Sequence, residues 1–293
     1  MAIGTQKEAG DPMRALGKFL KHRWKAFRAD SSKAKKKTLS RAEFEADQAS
    51  FEEWRARNPS KSVKAFYSER KQGQIAEGAT QSTFGANLKS GPFEKEGIRF
   101  FEDLVGFGLQ PSGTCVDYGC GTLRVGQHVI RYLAPGRYWG FDIADWLLEE
   151  GKGLIGSELV AEKKPQLRVI SGEAVREAAT HTPDMLFSVK VLQHVHPTEL
   201  AEFFENVMTI IGTSGQAIIS GKWSDGETVQ YRINGWAHSM RIISDLVWKM
   251  DGKIEILNPG TQPLPLEGAG LASKGIIRIV HKASPRASDL PSR

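Results

Sequence analysis

The feature that most constrains the fold is a short apolar strand that ends near a carboxylate and then turns through two glycines into a helix. It occupies residues 116–122, with the sequence Val-Asp-Tyr-Gly-Cys-Gly-Thr. Glycine can adopt positive φ and lets the backbone approach a ligand closely. In open α/β sheets, ligands bind beyond the carboxyl ends of the strands. Gly119 and Gly121 therefore predict a ligand-binding turn at the end of a first strand.

A second carboxylate supports this interpretation. Asp142 follows Gly121 by 21 residues and ends the next predicted strand. An acid there can accept both hydrogen bonds of a ribose diol. A dinucleotide site would need a third glycine where this chain has Arg124, and Asp117 would lie close to the phosphates. A phosphate-free cation such as S-adenosylmethionine fits these residues better.

From residue 92 onward, short apolar runs alternate with helical patterns. This alternation is typical of βαβ units and a mainly parallel sheet. The predicted helices cover residues 123–133, 144–152, 198–211 and 239–250. The predicted strands are Thr114–Tyr118, Tyr138–Asp142, Leu167–Ile170, Met185–Val189, Ala217–Ser220, Lys253–Ile256 and Gly275–His281. A Pro/Gly-rich stretch joins the last two strands, so we expect them to pair antiparallel at one edge.

The segment Asp117-Tyr118-Gly119-Cys120-Gly121 resembles motif I of the class I S-adenosylmethionine-dependent methyltransferases. Gly140-Phe141-Asp142-Ile143 is similar to that family's ribose-binding acid, and Gly172-Glu173-Ala174 to its adenine-binding loop. Residues 184–195 resemble the fourth-strand motif beside the reacting methyl group. The resemblance implies nine cofactor-binding residues: Asp117, Gly119, Cys120, Gly121, Asp142, Ile143, Glu173, Ala174 and Ser188.

The same resemblance implies a doubly wound α/β fold. Its seven-stranded, mainly parallel sheet would have the order 3-2-1-4-5-7-6 and would occupy residues 85–283. Residues 1–84 would form a basic helical extension, and residues 284–293 a short tail. Within the extension, Ser40 and Glu43 form a capping-box pattern, which predicts a helix that stops before Pro59.

His194 is the candidate general base, since it follows the fourth strand and histidine titrates near neutral pH. The alternative is that this histidine packs or caps the next loop. Lys190 ends the same strand and is a candidate for catalysis or for binding an acidic substrate. The candidate substrate wall after the fifth strand consists of Trp223, Trp236 and His238, with Tyr231 and Arg232 nearby.

Several methyl acceptors are disfavoured. Cytosine C5 methylation needs a nucleophilic cysteine, and both cysteines, Cys115 and Cys120, belong to the first strand region. The Asn/Asp-Pro-Pro-Tyr motif of amino-group methylation is absent from residues 188–193. We expect a small-molecule, glycan or lipid-linked acceptor, with O-methylation favoured. The alternatives are RNA or protein methylation, a non-catalytic cofactor-binding subunit and, more weakly, a nucleotide-dependent oxidoreductase.

Positive charge is concentrated near the N-terminus. Residues 14–41 contain eleven Lys or Arg and one acid, which leaves −4 of the total +6 for the rest. Apolar residues from Met13 to Phe27 recur at helical spacing. Three roles are open for residues 13–37: binding to an anionic membrane surface, contact with RNA phosphates, or docking on the rest of the protein or on a second subunit. Nucleic acid is the less favoured partner. The sequence contains no signal-peptide pattern and no apolar run of 18 residues, which predicts a cytoplasmic protein. If residues 13–37 bind a membrane, we expect the protein to be peripheral to it.

Overall fold

The computed structural model describes residues 38–76 and 92–285. The amphipathic pattern of residues 13–37 lies outside these ranges, so the helix expected there stays a prediction. The helices are α1 (Arg41–Arg57), α2 (Val63–Ala76), α3 (Pro92–Gly106), α4 (Gly126–Tyr132), α5 (Asp145–Ile155), α6 (Ser157–Lys163), α7 (Gly172–Thr180), α8 (Leu200–Ile211) and α9 (Met240–Lys249). The strands are β1 (Cys115–Tyr118), β2 (Tyr138–Asp142), β3 (Gln166–Val169), β4 (Met185–Val189), β5 (Gln216–Ser224), β6 (Val229–Arg232), β7 (Gly235–Ser239), β8 (Gly252–Pro263) and β9 (Leu271–His281).

The main sheet has the strand order that the resemblance implies. Strands β3, β2, β1, β4 and β5 are parallel neighbours, and β9 lies antiparallel between β5 and β8. Because β8 and β9 are the sixth and seventh predicted strands, the order 3-2-1-4-5-7-6 is confirmed. Their antiparallel pairing is confirmed as well.

Two further strands enlarge the predicted seven-stranded sheet to nine. Strands β6 and β7 form an antiparallel hairpin, and the end of β5 pairs in parallel with β7 at Trp223–His238. Residues Gln216–Trp223 of β5 pair with β9, and its last two residues, Trp223 and Ser224, pair with β7. The sequence patterns did not predict this hairpin, whose two-residue turn is Ile233–Asn234.

The sheet is covered on both faces, as a doubly wound fold requires. Along β1, Val116 and Tyr118 belong to one core cluster, together with Phe203 and Phe204 of α8. Cys115 lies in the other core cluster, which includes side chains of α3 and α4. The two faces are thus separated by the period-two alternation of the strand.

The N-terminal helices pack on the same compact unit as the sheet. The capping box that begins α1 is present, with the Glu43 N–H donating to Ser40 Oγ at 3.2 Å and the Ser40 N–H donating to Glu43 Oε2 at 2.9 Å. Helix α2, which the sequence did not predict, buries Phe66 and Tyr67 against Trp236 of β7. Helices α6 and α7 were also missed. No helix within residues 38–76 and 92–285 is long and apolar enough to cross a membrane.

Candidate active site

The glycine turn after β1 lies against the segment that follows β4. Gly119 has a φ of +89°, and a Cβ there would lie 2.3 Å from Val191 Cγ2. The N–H groups of Gly119 and Cys120 both donate to the carbonyl of Phe141 at 2.8 Å. Glycine is therefore required at position 119 for both its backbone conformation and the space it leaves, and the turn is fixed to β2.

The carboxylate of Asp142 connects the ends of β1 and β2. Its Oδ2 accepts a hydrogen bond from the Gly121 N–H, and its Oδ1 accepts one from the Ile143 N–H, both at 2.8 Å. The backbone carbonyl of Asp142 also accepts a hydrogen bond, from the N–H of Ile170 just beyond β3, at 2.9 Å. A carboxylate offers about four acceptor positions, so two backbone bonds do not use up its capacity for a ribose diol.

Asp117 has a different role from Asp142, although the two carboxylates are close enough to interact. The Asp117 side chain is buried and accepts a hydrogen bond from the Tyr138 hydroxyl at 2.8 Å. That hydroxyl lies against Gly126 of α4. Burial, reinforced by the negative charge of Asp142, raises the pKa of Asp117 to about 8, although the Tyr138 bond and Arg124 oppose the shift. The Asp117 carboxylate is therefore buried against Tyr138 and does not line an open cleft.

A cavity of about 340 Å³ opens at Ile143, the residue after Asp142. Ile143 and Ile170, which follow β2 and β3, form one wall. The opposite wall belongs to the segment leading into α2 and to α2 itself: Ser62, Lys64, Ala65, Ser68 and Glu69. The indole N–H of Trp146, near the start of α5, donates to Ser68 Oγ at 3.3 Å and joins the two walls. Sequence reasoning missed the α2 wall because these residues form no recognisable ligand-binding pattern.

The other predicted cofactor residues differ in their exposure. The Cys120 thiol is buried, and burial raises its pKa well above the usual value. Ser188 is fully buried and donates to the Tyr118 carbonyl at 2.7 Å. Ala174 is buried, with its N–H bound to the cap Ser171 at 3.2 Å, whereas Glu173 is exposed in the first turn of α7. Of these four side chains, Glu173 alone faces solvent.

His194 ends a one-turn 3₁₀ helix, Leu192–His194, directly beyond β4. Its Nδ1 contacts the carbonyl of Asn234, in the turn between β6 and β7. Its Nε2 lies 3.2 Å from the side-chain amide nitrogen of Gln193. Since Val191 of the same segment packs on Gly119, the candidate base and the glycine turn belong to one connected region.

Lys190 lies between β4 and the 3₁₀ helix. Its φ is +60°, unusual for a residue with a side chain, and its N–H donates to Ser220 Oγ at 2.9 Å. The side chain is half-buried. The structure thus places Lys190 near the candidate base, and its substrate role stays a prediction.

The predicted substrate wall is buried. Trp223, Trp236 and His238 are each at most 3% exposed. His238 Nε2 lies 3.1 Å from the Leu192 carbonyl, and burial lowers the pKa of His238 to about 4. Because these side chains are buried, their contact with a substrate stays a prediction. No metal-binding group of three or more His, Cys, Asp or Glu occurs within the residues that the structure describes.

Comparisons with known proteins give weak matches. No family model and no curated protein matches the chain. Among solved structures, magnesium protoporphyrin IX methyltransferase from Synechocystis PCC 6803, with bound SAM, is 17% identical, with 64% of this chain and 78% of that chain covered and a TM-score of 0.43.

Two further solved structures match a comparable share of this chain. The 1,6-didemethyltoxoflavin-N1-methyltransferase from Burkholderia thailandensis is 14% identical, with 75% and 92% covered and a TM-score of 0.45. The YcgJ protein from Bacillus subtilis is 7% identical, with 63% and 98% covered and a TM-score of 0.48. The strand order 3-2-1-4-5-7-6 and the glycine turn bonded to Asp142 are the features of the doubly wound fold that the resemblance predicts.

Proposed function

We propose that this protein is an S-adenosylmethionine-dependent methyltransferase. The observation that carries the proposal is the Asp142 carboxylate, which is held by the N–H groups of Gly121 and Ile143 at the ends of two neighbouring parallel strands. Such a fixed acid suits the two hydroxyls of a ribose, because charge-assisted bonds to a preoriented carboxylate are strong. The sulfonium would then lie toward Gly119 and the segment after β4.

The cavity beside Ile143 and Ile170 supports this orientation of the cofactor. It is lined on the strand side by the apolar side chains of Ile170 and of Ile143, the residue after Asp142, as an adenine ring requires. Glu173 lies in the first turn of α7, one short loop beyond Ile170. Adenine would occupy this cavity, with α2 as its outer wall.

The acceptor that we propose is a small molecule, and the transferred methyl group goes to oxygen. His194 supports an oxygen nucleophile, because a hydroxyl gains from a base that removes its proton as the C–O bond forms. The sulfonium is already an activated leaving group, so the remaining task of the protein is alignment, which can supply roughly 7–11 kcal/mol.

Calorimetric titration with S-adenosylmethionine, S-adenosylhomocysteine and NAD tests the cofactor. We expect saturable binding of the first two and none of NAD; tight NAD binding would restore the oxidoreductase alternative. Incubation with radiolabelled cofactor and a panel of hydroxylated, amino and RNA acceptors then tests the reaction. Cofactor binding without transfer to any acceptor would favour the non-catalytic subunit, and transfer to RNA alone would exclude a small-molecule acceptor.

A further inference from the structure

The hydrogen-bonding state of His194 can be deduced from its partner. A backbone carbonyl can only accept a hydrogen bond, so the contact between His194 Nδ1 and the Asn234 oxygen requires a proton on Nδ1. In the neutral ring the lone pair is then on Nε2, on the side where the Gln193 amide lies. The Asn234 carbonyl thus selects the tautomer whose Nε2 can accept a proton.

Asn234 is itself held by the N-terminal helices. It lies in the two-residue turn between β6 and β7, next to Ile233. The Tyr67 hydroxyl of α2 donates to the Ile233 carbonyl at 2.9 Å, in a buried environment. The weaker second donor to that carbonyl is the Gln230 amide at 3.3 Å. Tyr67 is therefore one peptide unit away from the carbonyl that orients His194.

The same hairpin also holds the other end of the 3₁₀ helix. His238 Nε2 of β7 lies 3.1 Å from the carbonyl of Leu192, the first residue of that helix. The hairpin therefore contacts the candidate base segment at two points, through His238 and through Asn234. A shift of the hairpin would move His194 directly.

Helix α2 is held in place by contacts with α8 and with the residues that lead into α8. Lys64 Nζ pairs with Glu202 of α8 at 2.7 Å, and the Glu199 carboxylate accepts hydrogen bonds from backbone N–H groups at the start of α2. The Tyr67 ring packs edge-on against Phe66 and Trp236, with centroids 5.4 and 6.1 Å away. The Tyr67 hydroxyl is thus presented to the hairpin by a fixed ring.

We propose that Tyr67 is a positioning residue for His194, acting through the Ile233–Asn234 turn. The proposal rests on the proposed role of His194 as a base. It assigns a catalytic purpose to an N-terminal helix outside the methyltransferase sheet. Because α2 also lines the cofactor cavity, occupancy of that cavity and orientation of His194 would depend on one helix.

The test is Tyr67→Phe in the full-length protein, which keeps the ring and removes the hydroxyl. Nitrogen-15 NMR should show His194 as the Nδ1–H tautomer in the wild-type protein and a mixture of tautomers in the variant. With an acceptor from the transfer assay, kcat should fall about fivefold, the effect of one ordinary hydrogen bond, while the KM for the cofactor stays within twofold. Tyr132→Phe, which removes a tyrosine hydroxyl bonded to the Leu109 carbonyl and not to the turn, is the control and should leave the tautomer unchanged.

Two results would overturn the proposal: an Nε2–H tautomer in the wild-type protein, or an identical tautomer and kcat in Tyr67→Phe. The first needs no variant and is informative even if Tyr67→Phe does not fold. Failure of the proposed function gives a different result. In that case His194→Ala retains full turnover, or no acceptor is methylated, while the tautomer experiment still reports whether Tyr67 orients the ring.

Discussion

The carboxylate of Asp142 and the backbone N–H of Gly121 are joined by a 2.8 Å hydrogen bond that links the second strand to the glycine turn after the first. The bond fixes the carboxylate before any ligand arrives. It also makes the position of Asp142 depend on a backbone group rather than on a flexible side chain. Such preorganisation lowers the conformational entropy that is lost when a ligand binds.

Asp142→Asn should lower the affinity for S-adenosylmethionine about 10- to 100-fold. The amide can no longer accept two charge-assisted bonds from a ribose, and a hydrogen bond to a charged group is worth about 1.5–3 kcal/mol. Calorimetric titration measures the change. The matched control is Asp145→Asn, three residues later and exposed at the start of α5, which should bind as the wild-type protein does. Equal affinities in all three proteins would remove Asp142 from the cofactor site.

His194→Ala should reduce kcat roughly 100-fold, the low end of the contribution of a positioned base. Cofactor affinity should change less than twofold, because the proposed contacts with the ribose and adenine are assigned to Asp142 and to the cavity at Ile143 and Ile170. Single-turnover kinetics under chemistry-limited conditions make the measurement. His181→Gln is the control, since its exposed ring packs 4.9 Å from Trp139 and not on the hairpin. Undiminished turnover in His194→Ala would show that no base is needed at this position.

Gly119→Ala should destabilise the fold far more than Gly121→Ala. Both residues have positive φ, but a Cβ at position 119 collides with Val191, whereas a Cβ at position 121 meets nothing within 4 Å. Gly121→Ala should cost about 1–2 kcal/mol, the ordinary penalty of a left-handed residue. Urea unfolding compares the two. Adding Val191→Ala should partly restore Gly119→Ala, and a lack of any restoration would mean that the collision is not the cause.

The free energy of unfolding should fall as pH rises from about 4 to about 8, because of Asp117. Its pKa is raised to about 8 in the folded protein, so between these pH values the folded state holds a proton that the unfolded chain has released. The slope from this one group is at most about 1.4 kcal/mol per pH unit. Asp117→Asn should remove that slope and gain stability relative to the wild-type protein at pH 8. Urea unfolding at pH 5, 6.5 and 8 makes the comparison, and parallel pH profiles would contradict it.

Residues 13–37 should bind anionic membranes through their charge and apolar stripe. The full-length protein should co-sediment with phosphatidylserine vesicles and not with phosphatidylcholine vesicles, and less so as salt rises. A triple substitution of Lys35, Lys36 and Lys37 to Gln should weaken retention, since each cation near such a surface contributes about 1 kcal/mol. Retention on neither vesicle would leave RNA contact or docking as the role of this segment.

The amino-acid sequence by itself determined the alternation of strands and helices, the glycine turn and the acid at Asp142. These features come from local patterns: apolar periodicity, positive-φ glycines and an acid at a strand end. The resemblance to motif I then supplied the strand order, which the pairings of β5, β9 and β8 confirm.

The tertiary structure alone decided which groups meet across long distances in the chain. Tyr67 and Ile233 are 166 residues apart, so no local pattern could reveal their hydrogen bond. The burial of Asp117, Trp223 and His238 depends likewise on packing between elements. Side-chain type predicts the chemistry that a residue can perform, but whether that residue faces the cleft or the core is set by long-range contacts.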